Sequence, residues 1–308
     1  MQTLFITHPS FKLHEMIPGH PECPERLDAI SDQLLSSGLI QYVQEMEVEK
    51  PASDELLLRV HDRDHIDRLE RMSPQQGLVE IDGDTMLNAH SLTAARYAAA
   101  AGVQAVDMVM QGRAQTAFCA VRPPGHHAER ARSMGFCIFN NIAVAAAHAL
   151  EVYGLQRVAI IDFDVHHGNG TEEIFAGENR ILMCGFYQHP LFPNRGDKVS
   201  AFNMCNVPVA AYSSGREIRN LVSEVWLPRL EEFGPELVLV SAGFDAHAED
   251  DMAHLKLVED DYSWMTAQLL GVARKHADGR VVSMLEGGYN LSALGRSVVA
   301  HVKAFITL

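Results

Sequence analysis

Asp162, Asp164 and His166 recur at every second residue within Ile-Asp-Phe-Asp-Val-His-His-Gly-Asn-Gly, residues 161 to 170. In an extended strand such residues share one face. Two carboxylates and an imidazole therefore stand side by side where the apolar run Val158 to Phe163 ends and glycines turn the chain. That is metal-ligating chemistry. A capped helix start is the plainer alternative, because Asp and Asn ahead of Gly and Thr171 are common turn residues. Capping accounts for one acidic residue, however, and not for two with paired histidines. Asp164 and His166 are the candidate ligands. Asp245, alone at another strand end and otherwise an ordinary turn former, is the candidate third. Two oxygens and one nitrogen leave a coordination position open, as in catalytic rather than structural metal sites. Zinc is favoured, although a set without thiolate also admits iron(II) or cobalt.

His126 and His127 follow Pro123-Pro124-Gly125, a segment too stiff and turn-prone for helix, so both imidazoles sit on a fixed loop rather than as a surface pair. A carboxylate partner would hold one as imidazolium or fix its tautomer, while an amide partner leaves the other neutral and able to accept a proton. Asp162 and Asn169 are suitable partners. Tyr289, after Gly287-Gly288, is either a turn aromatic or a phenol that donates to a developing oxyanion. His61 and His65 have ligand spacing on an expected helix, but no strand-end loop adjoins them. They are read as part of a solvated face. Glu249-Asp250-Asp251 reads as a solvated turn near the rim of the site, and the Ala-rich stripe around Tyr97 to Val106 as core packing.

Positioning these groups requires strands that end together. Leu4 to Thr7, Thr116 to Val121, Val158 to Phe163, Ile181 to Phe186, Leu237 to Ser241 and Val281 to Leu285 read as buried strands. Helices are expected over Pro24 to Ser37, Ser91 to Gln111, Asn140 to Tyr153, Gly215 to Glu232, Asp260 to His276 and Ser292 to Phe305. The alternation predicts an α/β fold: one domain over residues 1–308, an open parallel β-sheet with helices on both faces. Four of the strands run into the loops that carry His126 and His127, Asp164 and His166, Asp245, and Tyr289. In such sheets the ligand crevice lies beyond the carboxyl ends of the strands.

Composition narrows the partners. Of 308 residues 47% are apolar, enough for a large core, and 25 basic against 40 acidic residues give a net charge of −15. That balance opposes phosphate backbones and anionic lipid, so no direct nucleic-acid contact and no membrane contact are expected. The five cysteines are scattered, odd in number and never spaced as Cys-x-x-Cys, which indicates neither a disulfide framework nor a thiolate zinc site. With no signal-like start and no apolar run of about 18 residues, a soluble cytoplasmic protein is expected. The sequence leaves room for a homo-oligomer.

Arg-Pro-Pro-Gly-His-His (122 to 127), Gly-Phe-Cys-Ile-Phe-Asn-Asn (135 to 141), Asp-Phe-Asp-Val-His-His-Gly-Asn-Gly-Thr (162 to 171), Ala-Gly-Phe-Asp-Ala-His (242 to 247) and Leu-Glu-Gly-Gly-Tyr (285 to 289) resemble, in order, the motifs of the histone deacetylase family. His-Pro-Glu-Cys-Pro-Glu-Arg-Leu (20 to 27) and Asp-Gly-Asp-Thr (82 to 85) extend the likeness over nearly the whole chain, toward the bacterial and class II branch that includes acetylpolyamine amidohydrolases. The resemblance implies an arginase/deacetylase-type fold and zinc-dependent hydrolysis of an acyl amide, usually on a lysine or polyamine nitrogen. It implies Asp164, His166 and Asp245 as zinc ligands, with His126, His127, Tyr289, Asp162 and Asn169 in the catalytic set. Gly135, Phe136 and Phe192 match the walls and rim of an acyl-lysine tunnel, Asp84 and Met252 fall at its substrate-binding mouth, and Asp162 matches a residue that helps hold a structural potassium ion. Two departures stand out. Gly185-Phe186-Tyr187 lacks a hydroxyl expected near that potassium, and Met252 stands where polyamine deacetylases carry an acidic residue. The expected substrate is an acetylated lysine or related small acetylated amine, with acetylpolyamines as the alternative. A catalytically silent metal-binding protein would be expected to have lost part of the set, and this chain keeps all of it.

Overall fold

The computed structural model describes residues 2–194 and 201–307. Among the described residues ten strands are present: β1 (Thr3–Thr7), β2 (Val43–Glu47), β3 (Val79–Asp82), β4 (Thr85–Leu87), β5 (Thr116–Cys119), β6 (Val158–Asp162), β7 (Ile181–Gln188), β8 (Met204–Val209), β9 (Leu237–Ala242) and β10 (Val281–Leu285). Eight form one parallel sheet in the order β2-β1-β5-β10-β9-β6-β7-β8, and β3 and β4 form a separate antiparallel pair. Strands β5, β6, β7, β9 and β10 are buried along their length, as the continuous apolar runs require of strands covered on both faces.

The two strands not foreseen in the sheet, β2 and β8, are its two edges. Three of the five residues of β2 face solvent and none is buried, and β8 carries an exposed Pro208, so neither presents a continuous buried apolar run. Proline is tolerated there because an edge strand has one side without a ladder partner.

The helices are α1 (Glu25–Ser36), α2 (Asp54–Leu57), α3 (Arg63–Met72), α4 (Ser91–Met110), α5 (Asn141–Val152), α6 (Asn169–Phe175), α7 (Gly215–Leu221), α8 (Leu227–Phe233), α9 (Glu259–His276) and α10 (Leu291–Thr307). Helices α4 and α5 pack together across β1, β5, β10, β9 and β6, while α1, α10 and α9 form a second layer joined by α7 and α8. Small side chains permit the close α4–α5 approach: a Cβ at Gly102 of α4 would stand 2.9 Å from Ala145 Cβ of α5, and Ala98, Ala101 and Ala105 of α4 are buried as well. The single helix expected over Gly215 to Glu232 is instead α7 and α8 joined by a π-helical turn, Val222–Trp226. Pro228 explains the break, since it lacks an N–H and its ring crowds the carbonyl four residues back.

The topology places the site. β5, β10, β9 and β6 are consecutive neighbours in the middle of the sheet, although they are far apart in sequence. Their carboxyl ends therefore lie side by side, and the four loops that follow them share one crevice.

Candidate active site

At the end of β6 and β9 the carboxylates of Asp164 and Asp245 approach the same nitrogen of His166. Its Nδ1 lies 3.0 Å from Asp164 Oδ1 and 3.1 Å from Asp245 Oδ2. One ligand atom from each residue falls within 4.8 Å of the others, and all three side chains are buried. The remaining oxygens are tied to the backbone: Val165 N–H donates to Asp245 Oδ1, His166 N–H to Asp164 Oδ1 and Gly287 N–H to Asp164 Oδ2. Asp245 Oδ2, by contrast, accepts no hydrogen bond although it is buried. Burial and the Asp164 charge push Asp245 up to about 7. Burial lowers His166, yet its contacts with the two carboxylates outweigh this and push it up to about 10. A cluster that draws positive charge this strongly, with an orphaned buried oxygen, fits a divalent cation.

The glycines beside it leave room by necessity. A Cβ at Gly287 would stand 2.1 Å from Asp245 Oδ2 and 2.6 Å from Asp164 Oδ2, and one at Gly243 would stand 2.1 Å from Asp164 Oδ2.

The paired histidines have the two different partners that the sequence suggested. His126 Nδ1 lies 3.0 Å from Asp162 Oδ2, and His127 Nδ1 lies 2.8 Å from Asn169 Oδ1. Burial would lower His126, but the charges of Asp162, Asp164 and Glu286 prevail and raise it well above the usual imidazole range. His127 is lowered well below that range by burial, by His126 and by His166. The amide orientation of Asn169 is fixed, because its Nδ2 donates to Glu129 Oε1 at 2.9 Å. Its Oδ1 must then accept from His127 Nδ1–H, leaving Nε2 of a neutral imidazole free as a base.

Aromatic edges form the walls. Phe192 meets His127 edge-on with centroids 5.1 Å apart, and Phe136 meets Tyr289 likewise at 5.9 Å. Gly135, at φ +56°, fits between His127 and Phe192 only as glycine: a Cβ would stand 2.5 Å from His127 Cδ2 and 2.8 Å from Phe192 Cε1. Phe136 is also left-handed, at φ +68°, a strained conformation for a bulky residue. It is held by Thr85 Oγ1, which accepts its N–H at 2.9 Å, and Thr85 Oγ1 in turn donates to Asp84. Burial and the Asp245 charge push the Tyr289 phenol well above its ordinary range, so it carries its proton as a donor.

A model of the histone deacetylase domain matches residues 20–305. The chain is 38% identical over 280 residues to the histone deacetylase-like amidohydrolase of Pseudomonas aeruginosa, covering 88% of this chain and 73% of that one. It is 34% identical over 299 residues to a probable deacetylase of Archaeoglobus fulgidus, covering 94% and 82%. Among solved structures, the HD domain of HDA15 superposes with a TM-score of 0.92 at 32% identity, over 99% of this chain and 89% of the other. The chain belongs to the histone deacetylase family. The eight-stranded sheet is accordingly the arginase/deacetylase fold. No helix among the described residues is long and apolar enough to cross a membrane.

Several supports of this family site were not read from the sequence. Glu286 is fully buried, and its Oε2 accepts the N–H groups of Gly125 and His126 while its Oε1 accepts from Ser241. Buried Glu22 binds Arg122 through both carboxylate oxygens and Arg26 through one. Arg26 then donates to the carbonyls of Glu286 and Gly288 at 2.6 and 2.7 Å, with its guanidinium 5.0 Å from the centre of the Tyr289 ring. The only sequence signal for these was their membership of the motifs themselves.

Two readings are corrected. Asp250 is not part of a solvated turn: it is buried, and its Oδ2 accepts the N–H groups of Tyr289 and Asn290 while its Oδ1 accepts that of Met252. His61 and His65 are likewise buried rather than solvated. His61 lies in the turn before α3, and its Nε2 accepts the Asn140 N–H while Nδ1 faces the carbonyls of Glu129 and Arg130. Burial lowers His61 to about 3, as befits a neutral imidazole with one donor and one acceptor used structurally. The polar residues flanking these histidines faced solvent and masked the inward-facing side.

Two predictions follow from the packing. Gly287→Ala places a methyl against both carboxylates, so it should fold with an unchanged circular dichroism spectrum yet fail to retain stoichiometric divalent metal after dialysis, read by elemental analysis. Burial raises Glu22, but Arg122 and Arg26 outweigh it and bring it from 4.5 to about 2. A depressed carboxylate stabilises the fold above its unfolded value and loses that contribution as pH falls from about 4.5 toward 2, worth about 3 kcal/mol. Glu22→Gln should therefore be less stable than wild type by about that much at pH 7, and urea unfolding at successive pH values should show the difference shrinking through this window.

Proposed function

We propose that the chain, as one catalytic domain over residues 1–308, is a zinc-dependent amidohydrolase that removes the acetyl group from acetylated lysine side chains or a related small acetylated amine. The observation that carries this is a neutral, singly tethered imidazole, His127, set beside a buried Asp164–His166–Asp245 cluster that draws a cation. Asp164, His166 through Nδ1, and Asp245 would hold the zinc. That ion supplies Lewis acidity toward the amide carbonyl and lowers the pKa of a water in the site.

The rest is done by this chain's own groups. His127 Nε2 accepts the proton of the attacking water, with Asn169 holding the Nδ1–H tautomer. His126, kept cationic by Asp162, lends positive charge beside the reacting centre. Tyr289 donates its phenolic hydrogen to the carbonyl oxygen as negative charge develops there. An imidazolium then returns a proton to the leaving nitrogen, and a free amine and a carboxylate result. Phe136 and Phe192 wall an extended acyl-amine chain, Gly135 keeps the gap between them open, and Asp84 and Met252 stand at the mouth. A structural potassium ion beside Asp162 belongs to the same reading.

Acetylpolyamines are the second reading, favoured by the net charge of −15, which attracts polycations. Met252 weighs against it, since an apolar residue at the mouth offers no carboxylate to a second ammonium. The test is turnover of the metal-loaded protein on acetyl-lysine peptides, longer acyl-lysines and acetylated polyamines. Acetyl-lysine should be preferred, and Tyr289→Phe should lower kcat by about 100- to 1,000-fold with metal content retained. Unchanged turnover in Tyr289→Phe would remove the phenol from the mechanism, and full activity after exhaustive chelation would remove the metal.

A further inference from the structure

Two thiols meet near the edge of the sheet, away from the catalytic loops. Cys184 on β7 and Cys205 on β8 are direct rung partners of adjacent parallel strands, so their side chains leave the sheet on the same face. Both are free, as are the other three cysteines of the chain. Cys184 is fully buried, and Cys205, on the edge strand, is 8% exposed. The Cys184 thiol donates its hydrogen to the Cys205 sulfur, and Arg229 of α8 adds a positive charge near both. That guanidinium is held at the start of β8, where its Nη2 donates to the Phe202 carbonyl at 2.8 Å.

The arrangement gives the two sulfurs different roles. The hydrogen bond from Cys184, with the charge of Arg229, lowers Cys205 below the usual thiol range against the effect of burial, while that same bond and burial keep Cys184 protonated. A thiolate, not a thiol, attacks a peroxide. Cys23 is the most exposed cysteine, yet burial and Glu25 raise it. On the face that carries the pair, Leu182 lies two residues before Cys184, and with Phe202, Asn203 and Arg229 it lines a cavity of about 540 Å³. Solvent thereby reaches the residues that flank the two thiols. Rung neighbours stand about 4.8 Å apart, within the Cα separation of disulfides but beyond their usual Cβ separation of about 3.5–4.5 Å. Joining the sulfurs therefore draws the edge strand inward, and β8 is able to follow because only β7 holds it. A bond made under strain is also readily broken by an added thiol, which is the character of regulatory disulfides.

We propose that Cys184 and Cys205 form a reversible, hydroperoxide-sensing disulfide across β7 and β8. The Cys205 sulfur attacks one oxygen of hydrogen peroxide, the O–O bond breaks and hydroxide leaves, giving a sulfenic acid. The Cys184 sulfur then attacks that of Cys205, the S–O bond breaks and a second hydroxide leaves. The two sulfurs lose two electrons, the peroxide gains them, and the two thiol protons convert the hydroxides to water. A dithiol reverses the bond by exchange. The bond ties β8 to the strand that leads toward Phe192, a wall of the candidate site. The inference stands apart from the deacylase reading, since no measurement below uses turnover.

The full chain is reduced, desalted and exposed to a small excess of hydrogen peroxide, then unfolded and its thiols counted. The count should fall from five to three, and the intact mass should fall by two hydrogen atoms. Proteolysis should release one peptide pair that joins Cys184 to Cys205, and dithiothreitol should restore all five thiols. Cys205→Ser should keep its remaining thiols under the same treatment. Cys184→Ser should stop at the sulfenic acid of Cys205, trapped by dimedone. A count that stays at five, a loss confined to Cys23 or to another cysteine, or oxidation that dithiothreitol does not reverse would overturn the proposal. The wild-type peptide map decides the matter even if neither variant folds.

Discussion

Asp164 and Asp245 bring two carboxylates, both withdrawn from water, to one imidazole nitrogen. Ionised groups at this depth are costly unless paired, and one imidazole cannot neutralise two carboxylates. The surrounding structure is arranged to tolerate that imbalance. Backbone N–H groups from Val165, His166 and Gly287 satisfy three of the four oxygens, and glycines at 243 and 287 let the backbone approach without a side chain. What is left is one oxygen without a donor and an excess of negative charge. A divalent cation answers both.

The same field divides two chemically identical imidazoles. His126 and His127 are adjacent, with ring centroids 4.0 Å apart, yet one is raised and the other lowered. A carboxylate stabilises the charged form of the first, and an amide oxygen can only fix the tautomer of the second. The positive charge on His126 then further lowers His127. Two nearby groups pushed in opposite directions are the general signature of acid and base roles in one site. Here the difference traces to a single atom type in the partner, Asp162 against Asn169.

The chemistry was legible because it sits at the ends of central strands, where apolar runs stop abruptly at charged residues and glycine. Asp164, His166, His126 and His127 stood out as candidates by residue type and position, and Asp162 and Asn169 as a carboxylate and an amide suited to partner the two histidines. The edges were not legible: β2 has no buried residue, β8 has no continuous apolar run, and Pro208 in β8 argues against a strand. Nor were Glu286, Asp250, His61 and His65 recognisable as buried. A polar residue gives no sign in sequence that its partners are distant backbone N–H groups, as Glu286 shows by holding Gly125 and His126 across more than half the chain. The break at Pro228 was readable in principle, and the helical pattern around it overrode the proline.

The residues around Tyr289 are not independently adjustable. Asp250 accepts from Met252 with one oxygen and from Tyr289 and Asn290 with the other, so the backbones of residues 252, 289 and 290 hang on one carboxylate. On the opposite side Thr85 links the Asp84 carboxylate to the strained backbone of Phe136, whose ring packs edge-on against the same Tyr289. Tyr289 is therefore located from two directions, through Asp250 on its backbone and Phe136 on its ring. A change that shifted Asp250 or Phe136 would strain the loop after β10 that carries both Gly287 and Tyr289. The tyrosine and the metal-ligating cluster are themselves joined, because Gly287, two residues before Tyr289, donates its N–H to Asp164 Oδ2 and packs against Asp245.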